Sequence, residues 1–147
     1  MRAFLLSILL CVSAAAHSVY DVALLQPYHW PVVRVIDGDT AVVDAPWLPP
    51  ELGKEIAIRL VGVDAPEISW RAQCDAEKAK GRESLSALSK LIARPGVTVR
   101  VVGWDKYGGR VLGDFVTSDG RSVSQIMLDQ GLLKVYTGVG PKPNWCD

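Results

Sequence analysis

The stretch IRLVGVDAPE, residues 58–67, begins as a strand and ends as a corner. Ile56, Ile58 and Leu60 alternate onto one face, with Arg59, Val61 and Val63 on the other. Pro66 then fixes its own φ and biases Ala65 away from helix, so Asp64 and Glu67 sit on an abrupt turn at the strand end. Carboxylates and a guanidinium at one corner combine hard oxygen ligands, a base and an anion-binding fork, a set suited to metal-assisted phosphoryl chemistry. The same residues also have a purely local explanation. Asp bonds its own backbone in turns, Pro presets the bend, and a strand arginine can snorkel at a rim. Arg59 and Asp64 are about 16 Å apart along a straight strand, so they share a site only if the chain turns back after Gly62.

Upstream, Val32 to Ile36 reads as a strand, then Asp37-Gly38-Asp39-Thr40, then a second strand from Ala41 to Val43. Asp-Gly between two β-branched runs signals a hairpin, with Gly38 free to take positive φ. Either aspartate serves the turn or is spare for chemistry. A Pro-rich loop, Ala45 to Pro50, leads into the strand first described, and three strands with short links predict a meander.

Downstream, the period changes at Cys74. Ala76, Ala79, Leu85, Leu88, Leu91 and Ile92 fall at helical spacing, with Glu and Lys opposite, and Ala93-Arg94-Pro95-Gly96 ends the helix. Gly81 inside it costs about 1 kcal/mol relative to Ala and points to close packing or a bend. Val97 to Val102 reads as a fourth strand. A polar turn follows, Trp104-Asp105-Lys106-Tyr107-Gly108-Gly109-Arg110, and then a fifth strand, Val111 to Thr117. Ser122 and Gln125 form a candidate capping box for a helix through Asp129, and Leu132 to Val135 is a short apolar return. There is no internal repeat and no low-complexity stretch.

The order β-β-β-α-β-β-α in about 110 residues predicts an α+β chain that is mainly β: a five-stranded Greek-key OB-fold barrel with flanking helices. A parallel α/β sheet would need strict alternation of strands and helices, which is absent.

Sixteen Lys plus Arg balance sixteen Asp plus Glu among 147 residues, which excludes a basic, sequence-blind nucleic-acid coat. Any nucleic acid is expected at a local site. Residues 1–16 read as a secretory leader: Arg2, an apolar run from Phe4 to Val12, and small residues Ser13-Ala14-Ala15-Ala16 for cleavage after Ala16. The run is short for a bilayer span, so no membrane association is expected after its removal. Leu10 before Cys11 is too large for a lipoprotein signal. Cleavage removes one base and no acid, leaving 16 − 1 = 15 basic against 16 acidic residues. The expected destination is the periplasm or the extracellular space.

Of three cysteines, Cys11 leaves with the leader, and Cys74 and Cys146 remain as an even pair. In an oxidising compartment they are expected to join, tethering the tail to the helix start; two free thiols are the alternative. Two cysteines so far apart, in a chain with two histidines, make a poor zinc site. The organisation read from this is a leader over 1–16, an N-terminal segment over 17–30, the barrel domain over 31–137 and a tethered tail over 138–147.

Asp37-Gly38-Asp39-Thr40, then Arg59-Leu-Val-Gly-Val-Asp64-Ala-Pro-Glu67, then Asp105-Lys-Tyr-Gly-Gly-Arg110, with a helix between the last two, resemble the staphylococcal nuclease-like (thermonuclease) family over roughly residues 31–136. Each motif alone is weak; together, in order and at matching spacing, they are specific. The resemblance implies an OB-barrel phosphodiesterase that cleaves DNA and RNA with Ca²⁺. It implies calcium carboxylates at Asp39 and Asp64, a backbone carbonyl ligand at Ala65, and Glu67 activating or positioning the attacking water. It further implies phosphate-binding arginines at Arg59 and Arg110 and a tyrosine near the bound phosphate at Tyr107; the adjacent Lys106 is a further candidate for substrate binding. Two departures stand out. Gly109 is an extra residue before Arg110, and a substrate-side tyrosine expected after the last helix aligns with Thr137, with Tyr136 one position early.

The chemistry of the residues agrees. Ca²⁺ takes oxygen ligands, a carboxylate can take a proton from water, and guanidinium forks match a phosphate better than lysine does. Trp104 or Tyr107 can stack an unpaired base, so single-stranded or unpaired DNA or RNA is the expected partner and the protein is expected to act as a monomer. The rival reading is a non-catalytic OB module binding nucleic acid or protein, and a third is a small secreted structural or inhibitory protein.

Overall fold

The computed structural model describes residues 28–146 apart from Trp47, Pro50 and Leu52. The expected leader, residues 1–16, and residues 17–27 of the N-terminal segment lie outside the described residues.

Among the described residues, seven strands and two helices follow the order read from the sequence, with two short additions. They are β1 (Val32–Asp37), β2 (Thr40–Asp44), β3 (Glu55–Leu60), β4 (Val63–Asp64), α1 (Asp75–Ile92), β5 (Thr98–Trp104), β6 (Arg110–Val116), α2 (Val123–Asp129) and β7 (Lys134–Val135). β1, β2 and β3 form the antiparallel meander. The chain then crosses through α1 and returns so that β6 lies parallel to β3, giving a five-stranded sheet in the order β1-β2-β3-β6-β5. Just ahead of β1, Tyr28 and Val99 of β5 exchange two backbone hydrogen bonds of 2.7 Å, so the sheet curls until its first and last members meet at one bridge. The order and the curl are those of an OB-type barrel whose seam is held at this bridge rather than by a continuous ladder.

Inside the curl lie Val43, Ile58, Leu60, Val99 and Phe115, with Leu88, Val123 and Met127 closing it from the helices. Burying each of these side chains contributes on the order of 2 kcal/mol.

Two expectations change at the turns. The strand predicted through Val63 stops at Leu60, because the chain turns at Gly62, whose φ is 75°. Val61 is left exposed while Val63 is buried, since the residues after the turn face a different neighbour. The short β4 pairs with β7, and Tyr136 N–H donates to the Gly62 carbonyl at 2.9 Å. Gly38 does not take positive φ; it is glycine because a Cβ there would lie 2.6 Å from Ser84 Cβ and 2.9 Å from Ala65 Cβ.

The helical stripe also differs in its first half. The buried face of α1 is Glu77, Gly81, Ser84, Leu88, Leu91 and Ile92, whereas Ala76 and Ala79 are exposed. The first turns of α1 rest on polar backbone, not on the apolar core, and need small residues and a hydrogen-bonding carboxylate there. The Ser122 cap forms, accepting from Gln125 N–H at 3.0 Å, but the Gln125 side chain donates to Asp129 rather than closing the box.

The Cys74 and Cys146 sulfurs lie at disulfide distance, 2.17 Å, with Cα atoms 6.0 Å apart. A closed loop spanning a separation of 72 residues stabilises the chain by roughly 4 kcal/mol in the chain-entropy model. Reduction, or the C74S/C146S double variant, is expected to lower the thermal midpoint by about 10 °C. Calorimetric scans of oxidised and reduced protein check it, and an unchanged midpoint would show that the tail is not stapled.

Candidate active site

The turn at Gly62 brings Arg59 back over the residues that follow it. Its guanidinium donates to the Leu60 carbonyl at 3.3 Å and the Val63 carbonyl at 3.0 Å. The same group pairs with Asp39 at 2.7 Å and stands 3.8 Å from Asp64. Arg59, Asp39 and Asp64, drawn from three strands or turns, therefore share one corner, and the 16 Å obstacle of a straight strand disappears because the strand does not continue.

Asp39 occupies the β1–β2 turn under α1. One of its oxygens accepts from Thr40 Oγ1 at 2.8 Å, the other from Ala65 N–H at 2.8 Å. The second bond ties the hairpin turn to the Asp64–Pro66 corner. Burial, with the Asp37 carboxylate beside it, pushes the Asp39 carboxyl up to about 6, against the opposing pull of Arg59, Ala65 and Thr40. Asp64 is almost wholly buried, and its Oδ1 makes no well-aligned hydrogen bond.

Glu67 is positioned by a residue that sequence reasoning put on the outer face of the helix. The Glu77 carboxylate is buried and accepts from Glu67 N–H at 3.3 Å and Gln73 N–H at 2.6 Å, bracketing the loop before α1. Gly81, one turn along, lets the helix seat on that loop: a Cβ would lie 2.8 Å from both the Pro66 and the Glu67 carbonyl oxygens. Glu67's own carboxylate faces outward and accepts from Ser69 Oγ at 3.4 Å.

Sequence reasoning also missed Lys142. Its ammonium stands 3.0 Å from Asp64 Oδ1 and 3.6 Å from Glu67 Oε1. Partial burial works against its charge, but Asp64 first, then Glu67 and Asp39, outweigh that and hold it above the ordinary lysine range. On the other side of Asp64, the buried Trp145 directs Nε1–H at Oδ2, 3.5 Å away. The one sequence signal for this wall was the cysteine pair, which required the tail to return to α1.

Above the corner opens a cleft of about 500 Å³, lined by Arg59, Arg110, Trp104, Lys106, Tyr107 and Lys142 among others. Arg110 opens β6 opposite Ala57, two residues before Arg59 on β3, and both arginines line the cleft. The register of the loop is settled by the hairpin. Asp105 N–H bonds the Arg110 carbonyl at 3.0 Å, and Gly108 and Gly109, at φ 70° and 72°, absorb the extra residue. Asp105 also pairs with the Arg110 guanidinium. Tyr136 and Thr137 both line the cleft, so the displaced tyrosine remains beside it. Tyr107 and Trp104 are largely exposed, at 78% and 64%.

Among the described residues, no three acidic, histidine or cysteine side chains converge as a ready-made cation cluster. The donors at the corner nevertheless fit a hard divalent ion. Asp39 and Asp64 are carboxylates in one spot, a buried Asp64 oxygen lacks an aligned hydrogen bond, and two cationic side chains already neutralise them.

A family model described as staphylococcal nuclease homologue matches residues 57–144. An Escherichia coli protein named uncharacterized endonuclease is 36% identical over 121 residues, covering 82% of this chain and 69% of that protein. Endonuclease YhcR of Bacillus subtilis (strain 168) is 34% identical over 115 residues, 74% of this chain but 9% of that protein. Probable staphylococcal-like nuclease CAN1 of Oryza sativa subsp. japonica is 35% identical over 92 residues, 63% of this chain and 25% of that protein. The stretch matched by the family model includes Arg59, Asp64, Glu67, Arg110 and Lys142; Asp39 precedes it.

Two outcomes follow from this geometry. A carboxyl NMR titration of metal-free protein is expected to place the Asp39 midpoint near 6, and D37N to lower it by removing the neighbouring charge. Because this folded value lies above the ordinary 3.8, the group's contribution to stability is fully present below about 4 and is lost as pH rises through 6. An Asp39 midpoint unmoved by D37N would contradict the pairing. Separately, G81A is expected to destabilise the fold by about 1–2 kcal/mol in chemical denaturation, although alanine is the better helix former, because its methyl meets two carbonyl oxygens. Unchanged or increased stability would show that the loop yields.

Proposed function

The chain belongs to the staphylococcal nuclease family, and from that premise we propose that it is an exported, calcium-dependent nuclease. Its substrate is DNA or RNA, with unpaired strands preferred, and it cleaves the phosphodiester by attack of water. The observation that carries the reading is the cleft itself: Arg59 of β3 and Arg110 of β6 line one space directly above the buried Asp39–Asp64 corner, with Glu67 beside it.

The roles follow from position. Asp39 and Asp64, with the Ala65 carbonyl, would hold a calcium ion, which supplies Lewis acidity to a phosphoryl oxygen and charge to orient water. Glu67 takes a proton from the attacking water as the new P–O bond forms and the ester P–O bond breaks. Its backbone is fixed by Glu77, so the carboxylate acts from a defined place. Arg59 and Arg110 donate paired hydrogen bonds to the phosphate oxygens as charge builds on them, and a rigid fork in place before reaction loses little in reorganisation. Lys106 donates to the Gly138 carbonyl at 3.2 Å and stands 5.0 Å over the Tyr107 ring, so these two form the outer lip against the nucleotide. The exposed faces of Trp104 and Tyr107 supply base stacking, which needs an unpaired base.

Hydrolysis of denatured DNA is expected to require Ca²⁺ and to stop on adding EGTA. E67Q keeps the shape of Glu67 but not its basicity, and is expected to lose at least about a hundredfold in turnover with folding intact. R59K is expected to fall similarly, because a point charge cannot copy the fork. Steady-state cleavage rates, with circular dichroism for folding, check both. Wild-type rates in both variants would show that the proposed site is wrong, whereas no cleavage by the wild-type protein with Ca²⁺ would leave the non-catalytic OB module as the better account.

A further inference from the structure

The tail after β7 is anchored at both ends. At its start, Tyr136 N–H bonds the Gly62 carbonyl at 2.9 Å, and Tyr136 OH reaches the Gly140 carbonyl at 3.2 Å. At its end, Cys146 meets Cys74 at the N-terminus of α1, and Trp145 is buried with the Lys134 ammonium 4.5 Å from its ring. Lys142 lies between these anchors, so its reach is set by the tail's path.

That path puts the tail on both oxygens of Asp64. Trp145 Nε1 stands 3.5 Å from Oδ2, and Lys142 Nζ stands 3.0 Å from Oδ1. The same ammonium is 3.6 Å from Glu67, the proposed base. Lys142 is 55% exposed and also lines the cleft, so it has somewhere to go when it leaves the acids. An ammonium and a divalent ion cannot both sit against one buried oxygen, because like charges repel strongly at that distance.

We propose that Lys142 is the protein's own counter-cation at the Asp64–Glu67 corner, held there by the anchored tail and displaced into the cleft when calcium binds. This rests on the calcium reading above. Two consequences follow. While Lys142 is seated it neutralises Asp64 and engages Glu67, so the metal-free site is closed to the chemistry. Once displaced, it adds a positive charge to the face that Arg59 and Arg110 present to a phosphate, so that occupation of the corner and cation density in the cleft rise together. The competition is reciprocal: whatever Lys142 gains from the acids is subtracted from the apparent calcium affinity.

The test is calorimetric titration of metal-stripped protein with calcium chloride. K142Q is expected to bind calcium about five- to tenfold more tightly than wild type, and K142R to stay within about twofold of it. K90Q, which removes a charge from the last turn of α1, is expected to match wild type as a control for net charge. Equal calcium affinity in K142Q and wild type, with D64N abolishing the binding, would overturn this inference and leave the calcium reading standing. Weaker binding by K142Q would overturn it too, by making the lysine a support of the ion. No binding heat in any of the proteins would remove the calcium reading and this inference with it.

Discussion

Two carboxylates, Asp39 and Asp64, are buried at one corner, and the neighbouring structure is arranged to keep them there. An isolated buried carboxylate costs several kcal/mol, and the cost is offset only by counter-charge and aligned donors. Arg59 supplies the first, pairing with Asp39 at 2.7 Å and standing 3.8 Å from Asp64, while its hydrogen bonds run to carbonyls of its own turn. Ala65 N–H and Thr40 Oγ1 supply the second. The Asp39–Ala65 bond also links two segments far apart in sequence, so the hairpin turn and the Asp-Ala-Pro-Glu corner cannot move independently. Asp64, by contrast, is compensated mainly by the tail.

The corner imposes its demands on α1. A helix laid across a polar turn cannot use large apolar side chains at its contact points without burying carbonyls unpaired. The face that reaches the corner is accordingly Glu77, Gly81 and Ser84, and only beyond Ser84 does the helix become an ordinary amphipathic one on Leu88, Leu91 and Ile92. Gly38 and Gly81 serve two close approaches to this helix: Gly38 lets the β1–β2 turn come up to Ser84, and Gly81 lets the helix settle on the Pro66–Glu67 carbonyls. Ser84, whose hydroxyl donates to the Leu132 carbonyl at 2.6 Å, ties the chain just before β7 to the same helix face.

The parts legible in the sequence were those governed by local rules. Alternation placed the strands to within a residue or two, except the one read through Val63, which stops at Leu60; the Asp-Gly hairpin fell where turn chemistry put it, and the OB-type order followed from the spacing of periods. Arg59, Asp39 and Asp64 were recognisable as a set because they cluster in short motifs. Glu77 and Lys142 were not, for different reasons. Glu77 carries the outward charge signature of a helix surface, and only the loop folded beneath it turns that face inward. Lys142 sits in a tail without secondary structure, whose route depends on one cysteine pair. The Asp105 partner of Arg110 was visible as a residue but not as a competitor for the guanidinium, since the pairing depends on two glycines bending the loop back.

That competition bears on how a neutral chain can hold a polyanion. Arg59, Lys106, Arg110 and Lys142 line one cleft although the chain as a whole carries no net charge. Each is already tied internally: Arg59 to Asp39, Arg110 to Asp105, Lys142 to Asp64, and Lys106 to the Gly138 carbonyl. Such ties lower the field at the mouth of the cleft, so on the proposed reading long-range attraction of nucleic acid would be modest and a phosphate would be held by contact rather than by steering. They also fix where each donor points before the substrate arrives. The guanidiniums have the advantage here. Each offers five N–H groups in a plane, so Arg110 can keep one edge on Asp105 while the other meets a phosphate oxygen, and Arg59 can keep its hold on Asp39 and the turn carbonyls while a remaining N–H does so. An ammonium has no second edge held in a plane and must change partners. Within this one cleft, the arginines are therefore suited to stay in place through a reaction, and the tail lysine is suited to move.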